Sequence, residues 1–282
     1  MRTTGPREGM DPYFRGEKLY GDDFTLSDIT KWYEDEREAY SGLNGSAAQE
    51  GGEATESGYS YFALNQRHGF RHVPPTCRDI LSVGGSYGAE LLPVAANAQR
   101  IVILEPSQST RSASVAGVPV EYASPRPDGM MPFPDACFDL ITCFGALHHI
   151  ANVSTVVGEI FRCIRPGGYA LVREPTISMG DWRFNRDGLT KRERGIPPSL
   201  FREIVTQSGF QLMRETRCIF SLVSRLQRSV PGGVRPFNIP ILVLVDQVMS
   251  YAFSWNKRYH RTTVLEKLGP TSMFLVLRRP MS

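Results

Sequence analysis

From Asp79 onward the chain alternates short apolar runs with amphipathic ones, and this constrains the fold more than any other feature. DILSVGG (79–85), RIVILEP (100–106), PVEYAS (119–124), CFDLITCF (137–144) and YALVREP (169–175) read as strands. YGAELLPVAANA (87–98), VSTVVGEIFRCI (153–164) and PSLFREIVTQSG (198–209) read as the helices between and after them. Strands alternating with helices predict an α/β fold with a doubly wound, mostly parallel sheet. Residues 210–220 and 272–279 add two strands, separated by the apolar stretch IPILVLVDQVMSYAFSW (239–255). Pro240 and Asp246 interrupt that stretch, and it falls short of the ~20 apolar residues of a membrane span. We read it as a buried or cap helix, with peripheral membrane contact as the alternative and no stable insertion.

Before Asp79 the character differs. Residues 1–23 are polar and read as extended. Residues 24–42 read as a helix with Ser27 or Thr25 as N-cap, Gly42 at its end, and an aromatic surface of Trp32, Tyr33 and Tyr40. Residues 43–58 have loop composition. Residues 1–60 hold 6 basic and 13 acidic side chains against 26 and 16 in the remainder, so an acidic segment adjoins a mildly basic body. The length of 282 residues fits one large domain with a lid, and 41% hydrophobic content excludes fibrous and disordered classes. A net charge of +3 gives no sign of a nucleic-acid partner. Five scattered cysteines, none in a CxxC pair, fit reduced thiols in a cytoplasmic protein, and no apolar leader follows the first residues.

The first strand runs into Gly84-Gly85-Ser86-Tyr87-Gly88, a turn that lets backbone approach a ligand and opens a helix N-terminus to it. Glu105 ends the second strand, 21 residues beyond Gly84, where an acid accepts hydrogen bonds from ribose hydroxyls. MPFPDACFDLITCFGALHHI (131–150) and EIFRCIRPGGYALVREP (159–175) follow. In this order and spacing the four pieces closely resemble class I S-adenosylmethionine-dependent methyltransferases, in the small-molecule type 11-like group that includes the quinone-biosynthesis C-methyltransferases. The resemblance covers residues 78–176 well and continues loosely to 220 and the final strand.

The resemblance implies a Rossmann-like, seven-stranded sheet with an antiparallel last strand, an N-terminal helical lid, and a helical insertion near the substrate mouth. The corresponding organisation is a lid segment (1–60), an S-adenosylmethionine-binding core (61–220), a cap insertion (221–262) and the last helix and strand (263–282). It implies that Gly84, Gly85, Ser86 and Gly88 line the amino-acid end of the cofactor and that Glu105 holds its ribose. Asp128 would meet the adenine, and Phe144 and Gly145 would pass beside the methionine portion. Two departures stand out: the family usually has an acid where Ser82 stands and a glycine where Ser86 stands.

Methyl transfer is an in-line displacement that needs alignment and dryness. A hydroxyl acceptor also needs a base. His148 and His149 follow the fourth strand and are the candidates, His148 first. No metal-ligand spacing is visible. Residues 181–194 hold five basic and three acidic side chains. Trp182, Arg183 and Arg186 there, with Tyr33 of the lid helix, are candidates to bind an anionic, sugar-containing or aromatic acceptor, with oxygen ahead of nitrogen and carbon as the methylated atom. The competing readings are a nicotinamide-dependent oxidoreductase, which the absent GxGxxG disfavours, and a catalytically degenerate binding protein.

Overall fold

The computed structural model describes residues 10–43, 53–54, 59–108, 111–182, 184–186, 188–229 and 235–281, with the side chains of 40–43 and 227–229 outside that description. The predicted strands all form. They are β2 (Asp79–Val83), β3 (Arg100–Leu104), β5 (Val118–Ala123), β6 (Phe138–Phe144), β7 (Ile164–Pro175), β8 (Gln211–Phe220) and β9 (Pro270–Arg278). Two-residue strands β1 (Glu53–Ala54) and β4 (Ser114–Val115) extend one edge. The sheet order is β1-β4-β5-β3-β2-β6-β7-β9-β8. Nine strands therefore replace the expected seven, and the sheet is mixed. β4 runs antiparallel to β5, and β9 antiparallel to both β7 and β8. The added pieces are too short to carry a period-2 pattern, which is why they left no mark in the sequence.

Successive side chains on a strand point to opposite faces, and both faces of this sheet are buried. On β2, Leu81 and Val83 join a core with α5 (Val153–Cys163) and α6 (Pro198–Gln207), while Ile80 joins the opposite core. That second core holds α3 (Phe62–His68), α4 (Leu92–Ala95) and α8 (Pro240–Ala252). A lone turn, α1 (Asp11–Phe14), α2 (Leu26–Leu43) and α7 (Ser221–Ser229) complete the helices.

Two local expectations need correction, and one alternative is resolved. The helix predicted over 87–98 shrinks to a 3-10 turn (Ala89–Leu91) and α4. Pro93 lies in the first turn of α4, where its missing N–H is harmless. At α2 the cap is Thr25, whose hydroxyl accepts the Asp28 amide at 3.3 Å; Ser27 is already inside the helix. Residues 263–268 form turns rather than a last helix.

β2 sits at the centre, with Val83 in register with Leu104 on one side and Cys143 on the other. The chain winds to β3 and β5 on one side and to β6 and β7 on the other. The crevice at the carboxyl ends of β2 and β6 is thus the topological switch point, where open α/β sheets bind ligands.

Candidate active site

At that crevice the loops after β2 and β6 come into backbone contact. A Cβ at Gly84 would lie 2.6 Å from the Ala146 Cβ, and the residue adopts φ +70, so only glycine serves here. The Gly84 amide is held by the Leu104 carbonyl at 2.9 Å. Ser86 takes a left-handed φ of +51, where a side chain costs about 1–2 kcal/mol. Two bonds hold it there: its amide donates to Glu105 Oε2 at 3.1 Å, and its carbonyl accepts the Tyr122 hydroxyl at 3.0 Å. Gly85 is packed against Ser82 Oγ and the Glu90 carboxylate. The Ser82 hydroxyl donates to Glu90 Oε1. Burial pushes the Glu90 carboxyl up to about 7, against the pull of the Ser82 bond. A buried acid therefore does stand at the glycine turn, contributed eight residues after Ser82. Gly88 faces the methyl groups of Ile103 and Val115, at 2.8 and 2.9 Å from a would-be Cβ, so it serves packing.

The crevice opens into a cleft. One wall is Val83, Gly84, Leu104 and Glu105; the opposite wall is α2, through Ile29, Trp32, Tyr33, Glu36 and Arg37. Pro125–Pro127 and Gly129–Met131 close one end, and Gly145, Ala146 and His149–Asn152 form the floor. Glu105 is buried, and its two oxygens accept the Ser86 and Ser107 amides. Burial raises its carboxyl above the ordinary range, while the two amides oppose the shift. Tyr33 lines the cleft and donates its hydroxyl to the Pro125 carbonyl at 3.3 Å.

Of the sequence-predicted cofactor residues, Gly84, Glu105 and Gly145 line the cleft, whereas Gly85, Ser86, Gly88, Asp128 and Phe144 do not. The Asp128 carboxylate pairs with Arg126 at 2.5 Å and accepts the Met130 amide at 3.0 Å, while its neighbours line the cleft. Phe144 lies in the other core, against Phe70 and Phe274, and only Gly145 after it reaches the cleft.

Beneath the floor lies a cluster that sequence spacing hides. His148 is buried, with Nδ1 2.8 Å from Glu174 Oε2 and Nε2 3.3 Å from Glu193 Oε1. Burial opposes its protonation, yet bonds to the two carboxylates raise it to about 9. Burial likewise acts against the Glu193 charge, but His148 and the nearby His149 hold that carboxyl down at about 2. His148 is thus a fixed imidazolium outside the cleft lining, which does not suit the base role expected of it. His149 does line the cleft, and its Nδ1 is 2.8 Å from Glu36 Oε2 of α2. His148, His149 and Glu193 bring their polar atoms within 4.8 Å of one another, but both His148 nitrogens are already engaged by carboxylates, so the trio is an ion-pair cluster rather than an open donor set.

The 177–195 segment binds itself rather than an open acceptor site. Trp182 is buried, stacked on Phe14 at 4.5 Å and Tyr20 at 5.3 Å between ring centroids, and it donates to the Ser178 carbonyl. Arg186 donates to the carbonyls of Met179, Glu193, Thr190 and Lys191, so it staples the loop. Arg183 lies outside the described residues. From this segment Thr190 donates its hydroxyl to Glu36 and Arg192 donates its amide to the same carboxylate, tying the loop to α2. Among the described residues, none of 221–262 lines the cleft.

Glu36, Glu174 and Glu193 went unread because their partners are distant in sequence; for Glu36 the only local signal is its place one helical turn after Trp32.

Part of the chain is similar to known proteins. Residues 81–172 match the family model described as "Methyltransferase domain". A curated "Probable S-adenosylmethionine-dependent methyltransferase" of Mycolicibacterium smegmatis is 36% identical over 106 residues, covering 35% of this chain and 38% of that protein. A ubiquinone/menaquinone biosynthesis C-methyltransferase, UbiE, of Xylella fastidiosa is 36% identical over 52 residues, 18% of this chain and 21% of its own length. The chain therefore spans well under half the length of these curated relatives. Among solved structures, the [4+2]-cyclase SpnF is 16% identical with a TM-score of 0.51, covering 92% of this chain and 97% of that one. An S-adenosylmethionine-dependent methyltransferase of Mesorhizobium loti is 15% identical with a TM-score of 0.48, covering 74% and 94%. At such identities the structural likeness speaks to fold alone.

Proposed function

We propose that this chain, of which residues 81–172 match a methyltransferase domain, transfers a methyl group from S-adenosylmethionine to a small-molecule acceptor, with oxygen the first-choice atom. One observation carries the reading: a buried carboxylate, Glu105, beside a glycine turn so tight that a Cβ on Gly84 would collide with the facing loop. That combination fits a nucleoside cofactor. Glu105 offers acceptor oxygens to ribose hydroxyls, and Gly84 and Gly145 offer bare backbone. The cleft's apolar lining, with Leu104, Pro125 and Met131, offers a dry surface to a flat base. The bound cofactor supplies an electrophilic sulfonium methyl, so the protein's tasks are alignment, exclusion of water and removal of the acceptor proton.

His149 is placed for the last task. It lines the cleft, and its Nδ1 contact with Glu36 Oε2 of α2 orients the ring there. His148, pinned between Glu174 and Glu193, is assigned to hold the floor of the site rather than to move protons. Tyr33 is kept as an acceptor- or cofactor-facing residue, while Trp182 and Arg186 are assigned to shaping the loop. The relative named as a C-methyltransferase makes carbon the competing acceptor atom, and sugar-containing and aromatic metabolites head the screen. The five unpaired cysteines fit work in a reducing compartment such as the cytoplasm.

Calorimetric titration with S-adenosylhomocysteine tests the reading. Micromolar binding that Glu105→Ala weakens by about tenfold or more is expected, since a charge-assisted pair of hydrogen bonds is lost. Binding of NAD in place of S-adenosylhomocysteine would overturn it.

A further inference from the structure

α8 is an inverted amphipathic helix. Its inward side carries Asp246 and Ser250, both fully buried, with Val243. Asp246 accepts the amides of Ile219 (3.0 Å) and Phe220 (2.5 Å) at the end of β8, and Gln247 accepts Arg67 of α3. Its outward side is apolar. Ile241 is 63% exposed, Val248 58%, Tyr251 82% and Trp255, just past the helix, 71%, with Leu244 and Val245 between them. Positions 241, 244, 245, 248, 251 and 255 recur at helical spacing, so these side chains form one stripe facing water. A stripe of this kind on a soluble protein marks a contact surface.

The charge around it selects the occupant. Among the described side chains, Arg225, Arg235, Lys257 and Arg258 stand against Asp246, which is buried, and Glu266, which pairs with Arg258 at 2.9 Å, while Arg261 is held by backbone carbonyls. Nearby, Arg67 and Arg71 of the α3 region and Arg214 of β8 act together on His68, whose protonation burial and these cations suppress. A second copy of this chain would bring one such basic surface against another, which repels. An anionic lipid surface satisfies both features. The stripe would sink into the headgroup boundary, with Tyr251 and Trp255 at the interface depth aromatic rings prefer and the cations above it. We propose that α8 docks this protein on anionic membranes, lying in the plane of the surface rather than crossing it. This inference does not depend on the activity proposed above. It does place the 177–195 segment nearby: just beyond Trp255, the Tyr259 hydroxyl donates to the Gly195 carbonyl and the His260 ring bonds Ser178.

Flotation with phosphatidylcholine vesicles, with and without phosphatidylglycerol, tests the proposal. Co-flotation only with anionic vesicles, reduced by high salt, is expected. Trp255 is the exposed one of three tryptophans, so its emission should shift to the blue on binding, and Trp255→Phe should remove the shift. The double substitution Ile241→Glu with Val248→Glu changes surface residues only; its thermal melt should match the wild type while binding falls by about a hundredfold. Absence of flotation at low salt, or equal flotation by the double variant, would overturn the proposal. So would a dimer in light scattering that the double variant dissociates while vesicles capture neither form.

Discussion

His148 sits between two carboxylates, and its titration is therefore tied to stability. Its folded-state value of about 9 lies above the ordinary 6.5. The stabilisation is fully present below about pH 6.5 and is lost as pH rises through about 9. Glu193 works in the other direction: its contribution is present above the ordinary 4.5 and is lost as pH falls through about 2. The melting-temperature gap between wild type and His148→Gln should thus be widest near pH 6 and shrink by about pH 9.5. A gap independent of pH would show that His148 is neutral in the fold. At His149 a different signature is expected. His149→Gln and Glu36→Gln should each lower kcat by about 10²–10⁴ on a hydroxyl acceptor. S-adenosylhomocysteine affinity should stay near wild type in both, because neither residue is assigned to the cofactor.

At the scale of elements, α2 is the piece whose attachment decides whether the cleft has a second wall. Trp32 anchors it: buried, it donates to the His149 carbonyl at 2.7 Å and lies under the guanidinium groups of Arg192 and Arg194. Trp32→Ala should cost about 3–5 kcal/mol in urea unfolding and weaken S-adenosylhomocysteine binding. Unchanged affinity would mean that α2 is not a wall of the binding site. How much of this was legible follows from the reach of each interaction. The strands and their order of use were readable because each is a continuous apolar run bounded by turn residues. The glycine turn and Glu105 were readable because their positions are fixed relative to those strand ends. Trp182 and Arg186 were misread as acceptor ligands because aromatic and basic residues look alike whether they face a substrate or fold back on their own loop. Glu90 escaped notice because the helix expected around it gives no hint that its carboxylate turns inward to Ser82. The carboxylate partners of the histidines come from α2, β7 and the 188–195 segment, and no local pattern announces such a meeting.

The whole molecule is a basic body with an acidic helix laid across its cleft. Asp35 of α2 pairs with Arg192 at 2.8 Å and Glu36 receives the Arg192 amide, so the helix and the 188–195 segment are held as one flap. Ligand in the cleft should stabilise both halves together. Saturating S-adenosylhomocysteine should slow amide exchange in residues 26–39 and 188–195 in parallel, while β8 and α8 remain unchanged. Protection of one segment without the other would separate them into independent parts.

The placement of β9 has a consequence for how the chain reaches this state. β9 does not lie at an edge: it fills the slot between β7 and β8, hydrogen-bonded to both. During synthesis β7 and β8 leave the ribosome without the partner that joins them, and each waits with a bare edge while residues 221–269 are made. The parallel half of the sheet can assemble early, but closure must wait until residues 221–269 have been made. For that interval the nascent chain shows two open strand borders, the state in which sheets are most prone to pair with the wrong neighbour. The late strand, more than any part of the cleft, governs how safely this protein is born.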